Sequence, residues 1–85
     1  MSVAKQFGAN LAAARERSGI TQEELAFRAS LHRTEIGLLE RGGRLPRIDT
    51  LAKLAGALGV PTSSLLDGIE WTPGEIQRGS FIVSN

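Results

Sequence analysis

Between Thr21 and Gly42 the chain carries two short helical periods separated by a break that admits only a tight turn. In the segment TQEELAFRASLHRTEIGLLERG, Leu25, Ala26 and Ala29 recur at helical spacing and give a first helix its inward face. Thr21 followed by Glu24 is a capping box, in which the two side chains satisfy two orphan backbone donors. Ser30 and Leu31 interrupt the period. A second begins with Ile36 and Leu39 inward and Glu40 beside them, and Gly42-Gly43 ends it. The outer face of this second helix is polar: His32, Arg33, Thr34, Glu35 and Arg41.

The flanking chain supplies further helices. Phe7, Leu11 and Ala14 share a face, which predicts a helix over Val3–Arg17, with residues 1–6 a loose start that becomes helical. Ser18-Gly19 stops it, and Ile20, just before the Thr21 cap, is placed to act as a hydrophobic staple. Pro46 bars helix from the residue before it. A fourth helix is expected over Ile48–Leu58 with Leu51, Leu54, Ala55 and Leu58 inward, capped by Gly59. Val60-Pro61-Thr62-Ser63 leads into a short fifth helix ending near Leu66, with Leu65 and Leu66 closing the core. The expected fold is all-α and five-helical, followed by a short C-terminal tail with one candidate β-strand. In that tail Trp71, Pro73 and Gly74 predict an ordered turn, with Trp71 over the core. Ser80–Ser84 is a β-prone run without a partner in an all-helical domain, either disordered or paired with a two-fold mate.

Composition narrows the function. Eighty-five residues suffice for one small domain and one core. Cysteine is absent, which excludes disulfides and thiolate metal sites and fits a reducing cytoplasm. The single histidine, His32, has no companions for metal ligation or a catalytic triad, and no phosphate loop occurs. Neither an enzyme nor a cofactor is expected, and no small-molecule ligand is evident. No apolar run approaches the ~18 residues of a membrane span.

The net charge is only +1, but its distribution is uneven. Residues 28–47 hold five arginines against two glutamates, a local excess of three; the rest holds five basic and seven acidic groups, a deficit of two. Positive charge therefore gathers around the second helix of the pair and the loop after it. A solvated arginine-rich surface explains this as well as a phosphate-binding one does, on charge alone.

Two helices across a tight turn, the second presenting a polar face, form the helix-turn-helix layout. Thr21-Gln22-Glu23-Glu24-Leu25-Ala26, then Ile36, Leu39-Glu40-Arg41-Gly42, Pro46, and Leu51-x-x-Leu54-Ala55-x-x-Leu58-Gly59-Val60 closely resemble the phage-repressor-like (Xre/Cro) family. The likeness covers about Phe7 to Leu66, with spaced elements of four helices agreeing at once. It implies a lambda-repressor-like DNA-binding domain over 1–67, with 68–85 as a C-terminal extension and candidate dimerisation tail.

The resemblance also assigns roles. The second helix of the pair, 32–41, is expected to read the major groove of double-stranded DNA. Arg33 and Thr34 match base-reading positions: arginine holds guanine O6 and N7 together, and threonine bonds a base or touches a thymine methyl. Glu35 either accepts from cytosine N4 or caps the helix start. Leu38 stands where the family often has a polar base reader, and either touches a thymine methyl or packs at the domain edge. Gln22, His32, Arg41, Arg44 and Arg47 are the expected phosphate contacts. Arg15 is expected to pair with Glu40, tying the first helix to the third. Ser30 replaces the usual glycine at a turn position that often has positive φ, at a strain of about 1 kcal/mol. The implied function is a sequence-specific transcriptional regulator, most simply a repressor, acting as a homodimer. The competing expectation is a protein-interaction module, such as an antitoxin or scaffold, on the same fold.

Overall fold

Ser2 starts the first helix in the computed structural model, which describes residues 2–75 and 78–84. Its hydroxyl accepts the Lys5 N–H at 3.1 Å, and α1 runs Val3–Arg17. The helix begins at Val3, as expected for a start that becomes helical within residues 1–6; Met1 lies outside the described residues. Phe7, Leu11 and Ala14 are buried on its inner face.

Helix α2 (Gln22–Ala29) begins at Thr21, whose Oγ1 accepts the Glu24 N–H at 3.1 Å. Only this half of the expected capping box forms. The Glu24 carboxylate instead accepts from Arg28 Nε at 2.9 Å, one turn further on, where an opposite charge is available. Leu25, Ala26 and Ala29 are buried.

The turn passes through Ser30 at φ 55° and ψ 45°, the left-handed region. The strain, about 1 kcal/mol, is smaller than the roughly 1.5–3 kcal/mol gained by fully burying one Leu or Ile side chain. Leu25 and Ile36, on either side of the turn, are each fully buried. The two helices therefore dictate the turn. A 2.9 Å bond from Leu31 N–H to Ala26 O closes it, and Leu31 packs against the core.

Helix α3 (Arg33–Glu40) follows with Ile36 and Leu39 fully buried. It meets α1 at Gly8, where a Cβ would lie 2.7 Å from Glu40 O and closer still to Leu39 O. The two backbones touch there because Gly8 has no side chain. Helix α4 (Ile48–Leu58) buries Leu54 and Ala55, with Leu51 and Leu58 packed against the same core, and ends at Gly59 with φ 68°. Helix α5 is one turn, Thr62–Leu65. Leu65 is fully buried, but Leu66 is exposed and does not close the core. Leu66 is the C-cap of α5, where the chain leaves the helical turn, and its side chain falls outside the core.

The five-helix architecture is as expected, and the tail is refined. It holds two strands, β1 (Ile69–Thr72) and β2 (Ser80–Val83), paired antiparallel with Ile69 opposite Val83 and Trp71 opposite Phe81. Ser80–Val83 thus finds its partner within the chain. Trp71 is half-exposed and sits edge-on to Phe81, with centroids 5.1 Å apart, rather than over the core. The hairpin leaves from the end of α5 and rests on α1. Asn10 Nδ2 donates to Leu65 O at 3.0 Å and to Asp67 O at 2.8 Å, while Ile69 packs against the core.

Candidate nucleic-acid interface

The buried side of α3 holds Ile36 and Leu39, so helical geometry turns the opposite side outward. His32 takes the N-cap backbone conformation, φ −81° and ψ 146°, without using its imidazole as a cap. His32, Arg33 and Thr34 are exposed, and no hydrogen bond within the protein engages their side chains among the described residues. They form the free leading edge of the helix.

The flanks of α3 are built differently. Glu35 is half-buried, and its Oε1 accepts from Nη2 of Arg44 in the following loop. Glu35 therefore does not act as a reciprocal cap. The expected base reader and the expected phosphate contact hold each other. Two residues on, about 200° around the helix, Gly37 is buried. A Cβ there would meet Arg41 Nη1 at 3.1 Å and Gln22 Oε1 at 3.9 Å. Gln22 and Arg41 thus converge on one flank of the helix and Arg44 lies on the other. Leu38 is half-buried against the backbone of Gly43, whose N–H donates to Leu38 O at 2.9 Å. This contact draws the Gly42–Pro46 loop against α3. Arg47, at the N-cap of α4, is exposed and 3.4 Å from Asp49.

Below the outward face lies a four-part junction. Arg15 Nε donates to Glu40 Oε2 at 2.7 Å and Arg15 Nη2 to Glu40 Oε1 at 3.1 Å, a bidentate pair. Arg15 Nη1 donates to Ile20 O at 2.9 Å, and Gln22 Nε2 donates to Glu40 Oε1 at 3.0 Å. The side chains are only 15% and 8% exposed. The hydrogen bond to Glu40 raises the Arg15 pKa above its ordinary value, desolvation opposes this, and the carboxylate charge adds to the rise. One carboxylate thus joins α1, the loop after it, the start of α2 and the end of α3. Gln22, expected at a phosphate, spends one amide N–H on this junction. Its participation was invisible in the sequence, which shows a polar residue in a first turn and no partner for it.

Two contacts that shape this region carried no sequence signal: Gly8 against the end of α3, and Asn10 holding the hairpin. A glycine within a helix reads as a propensity cost, and an asparagine as an ordinary polar residue, until the neighbouring element is in place. Among the described residues no cluster of His, Asp or Glu is arranged to hold a metal, and no helix is long and apolar enough to cross a membrane.

Known proteins share both sequence and fold. The chain is 40% identical over 73 residues to y4dJ, an uncharacterized HTH-type transcriptional regulator of Sinorhizobium fredii, covering 86% of this chain and 95% of that one. It is 47% identical over 51 residues to the control protein C.BamHI of Bacillus amyloliquefaciens, covering 60% of this chain and 63% of that one. Its fold matches the restriction-modification controller protein C.AhdI from Aeromonas hydrophila with a TM-score of 0.71 and 37% identity, over 73% of this chain and 94% of that one. The family model described as Helix-turn-helix (HTH_3) matches residues 11–65, from the middle of α1 to the end of α5, and the chain belongs to that family.

Proposed function

We propose that the protein is a sequence-specific, DNA-binding transcriptional regulator that lays α3 in the major groove and acts by occupying its site, without catalysis. The observation carrying this reading is the combination of an unpartnered leading edge, His32, Arg33 and Thr34, with arginines on both flanks of the same helix. Arg33 and Thr34 read base edges, with Leu38 at the groove's margin. Gln22, Arg41, Arg44 and Arg47 meet phosphates. The unit that binds DNA is residues 1–67. The relatives named above as transcriptional regulators or controllers support the same reading.

Arg33→Ala tests the assignment. After selection of bound sites from random DNA, the variant is expected to lose roughly 1–3 kcal/mol on the selected site and to relax preference at one base pair. Binding to random DNA, measured at the same salt, should change far less. Equal losses on both would remove Arg33 from the base-reading face.

The tail, 68–85, serves a homodimer in this proposal. Ile69, Trp71, Phe81 and Val83 occupy one face of the hairpin by strand alternation. Ile69 and Val83 are half-buried, while Trp71 and Phe81 continue the same apolar face uncovered. The outer edge of β2, Ser80–Val83, carries no charge and no proline to prevent further pairing. An isolated two-stranded hairpin is marginal in water, and a second copy would make it four-stranded. Such a dimer sets two α3 helices about one turn of DNA, ~34 Å, apart on a near-palindrome. In sedimentation the wild-type chain is expected at twice its 9.1 kDa mass, and an Ile82→Lys, Phe81→Glu double variant at the monomer mass. A wild-type monomer at a concentration of about 10⁻⁴ M, in the weak-affinity range, would end the dimer proposal.

A further inference from the structure

Glu35 and Arg44 raise a question that the proposed function leaves open. One lies on α3 and the other in the loop after it, each has a role on DNA in the reading above, and the structure spends each on the other. The Arg44 side chain is 54% exposed and that of Glu35 only 23%. An ion pair this exposed contributes little by itself, so a phosphate can take Arg44 from it. Glu35 is in a different position. It is fixed on α3, the helix proposed to enter the groove, and without Arg44 it leaves an uncompensated carboxylate near a polyanion. Such a group is tolerated only where a donor replaces the lost guanidinium.

The geometry points to an exchange. We propose that Arg44 leaves Glu35 for a phosphate only where the exocyclic N4 amine of a cytosine takes over the Glu35 carboxylate, so that the pair couples one phosphate contact to one base. On other sequences Arg44 stays with Glu35, and the pair is electrically silent. This inference rests on the DNA-reading role proposed above and deepens it: Glu35 becomes the residue that decides whether a neighbouring positive charge is available to the backbone. The major groove supports the choice of base, since cytosine presents an N4 donor there while guanine and thymine present acceptors at the corresponding edge. Adenine also has an amine donor, but its neighbouring N7 is an acceptor that would face the second oxygen of the carboxylate.

The other arginines define what is special here. Arg47 is paired only loosely with Asp49, at 3.4 Å, and Asp49 lies on α4 rather than on α3. Arg28 is bonded to Glu24 on the outside of α2. Glu35–Arg44 alone among the salt bridges of the described residues joins α3 to the loop that follows it.

The test is the salt dependence of binding by the full-length chain and by Glu35→Gln, on a selected site and on random duplex. Glu35→Gln frees Arg44 on every sequence. On random DNA its log–log salt slope should steepen by about 0.9, the increment for one added phosphate, or about a 3.5-fold greater loss of affinity over a fourfold rise in salt. The ratio of selected-site to random binding should fall by roughly tenfold, the scale of one lost base preference. Adding Arg44→Ala to Glu35→Gln should return the random-DNA slope to the wild-type value, which assigns the increment to Arg44. An unchanged slope in Glu35→Gln overturns the exchange, as does a steeper slope that survives removal of Arg44. If wild type itself selects no sequence, the proposed function fails; if wild type is selective and Glu35→Gln matches it in slope and ratio, only the exchange fails.

Discussion

Glu40→Ala is expected to lower the unfolding free energy by about 3 kcal/mol, near the lower bound for breaking a buried ion pair. The reason is what the carboxylate leaves behind. Its side chain is 8% exposed and accepts three hydrogen bonds, two from Arg15 and one from Gln22. Without it the Arg15 guanidinium keeps only Ile20 O as a partner in a site that is 15% exposed. Arginine cannot escape by losing its proton. Its pKa is raised by the bond to Glu40, and even without that bond it lies far above any pH at which the protein would be studied. The charge therefore stays, poorly solvated, and the helices must part to let water in. Glu24→Ala is the control. Its bond to Arg28 joins two side chains that are each about half exposed, and its loss should cost only a few tenths of a kcal/mol. Denaturant unfolding of the two variants decides the matter. Equal losses would make the junction an ordinary solvated contact rather than the tie between α1 and α3.

The junction also shows where sequence reasoning reaches its limit. Helices α1 and α4 are legible to their ends because the information is local: periodic apolar residues in both, a proline before α4, a glycine after each. The outward placement of Arg33 and Thr34 follows from the inward placement of Ile36 and Leu39 by the same arithmetic. Strand β1 was not legible. Ile69-Glu70-Trp71-Thr72 is four residues long, and its partner lies beyond a connection over 73–79 that carries no two-residue hairpin signal. Glu35 illustrates the same limit at the site. Its position at the third residue of α3 suggests a cap or a base reader, and both are properties of the residue alone. What it does in the folded chain depends on Arg44, brought back by the close approach of Gly43 to Leu38. Residue types and their spacing show which groups are available. Which of them satisfy one another is settled only when separate elements pack.

Gly8→Ala should destabilise the protein by about 2–3 kcal/mol, although the same exchange in an open helix stabilises by about 1 kcal/mol through helix propensity. The added methyl would point into the last turn of α3, 2.7 Å from Glu40 O and 3.0 Å from its carbonyl carbon. These are backbone atoms, and no rotamer change moves them aside. Helix α1 would have to lift away from α3. Arg15 lies seven residues further along the same helix, about two turns on and on the same face, so the lift also stretches its bonds to Glu40. Gly56 in α4 provides the opposite case, because a Cβ there meets nothing within 4 Å. Gly56→Ala should therefore raise stability by up to about 1 kcal/mol, since the helix gains propensity and the unfolded chain loses freedom. Two identical substitutions, each in the interior of a helix, are expected to move the unfolding midpoint in opposite directions. A shift of the same sign for both would mean that α1 and α3 have room to spare at Gly8. The orientation of α3 would then depend on the Arg15–Glu40 junction without help from the backbone contact beside it.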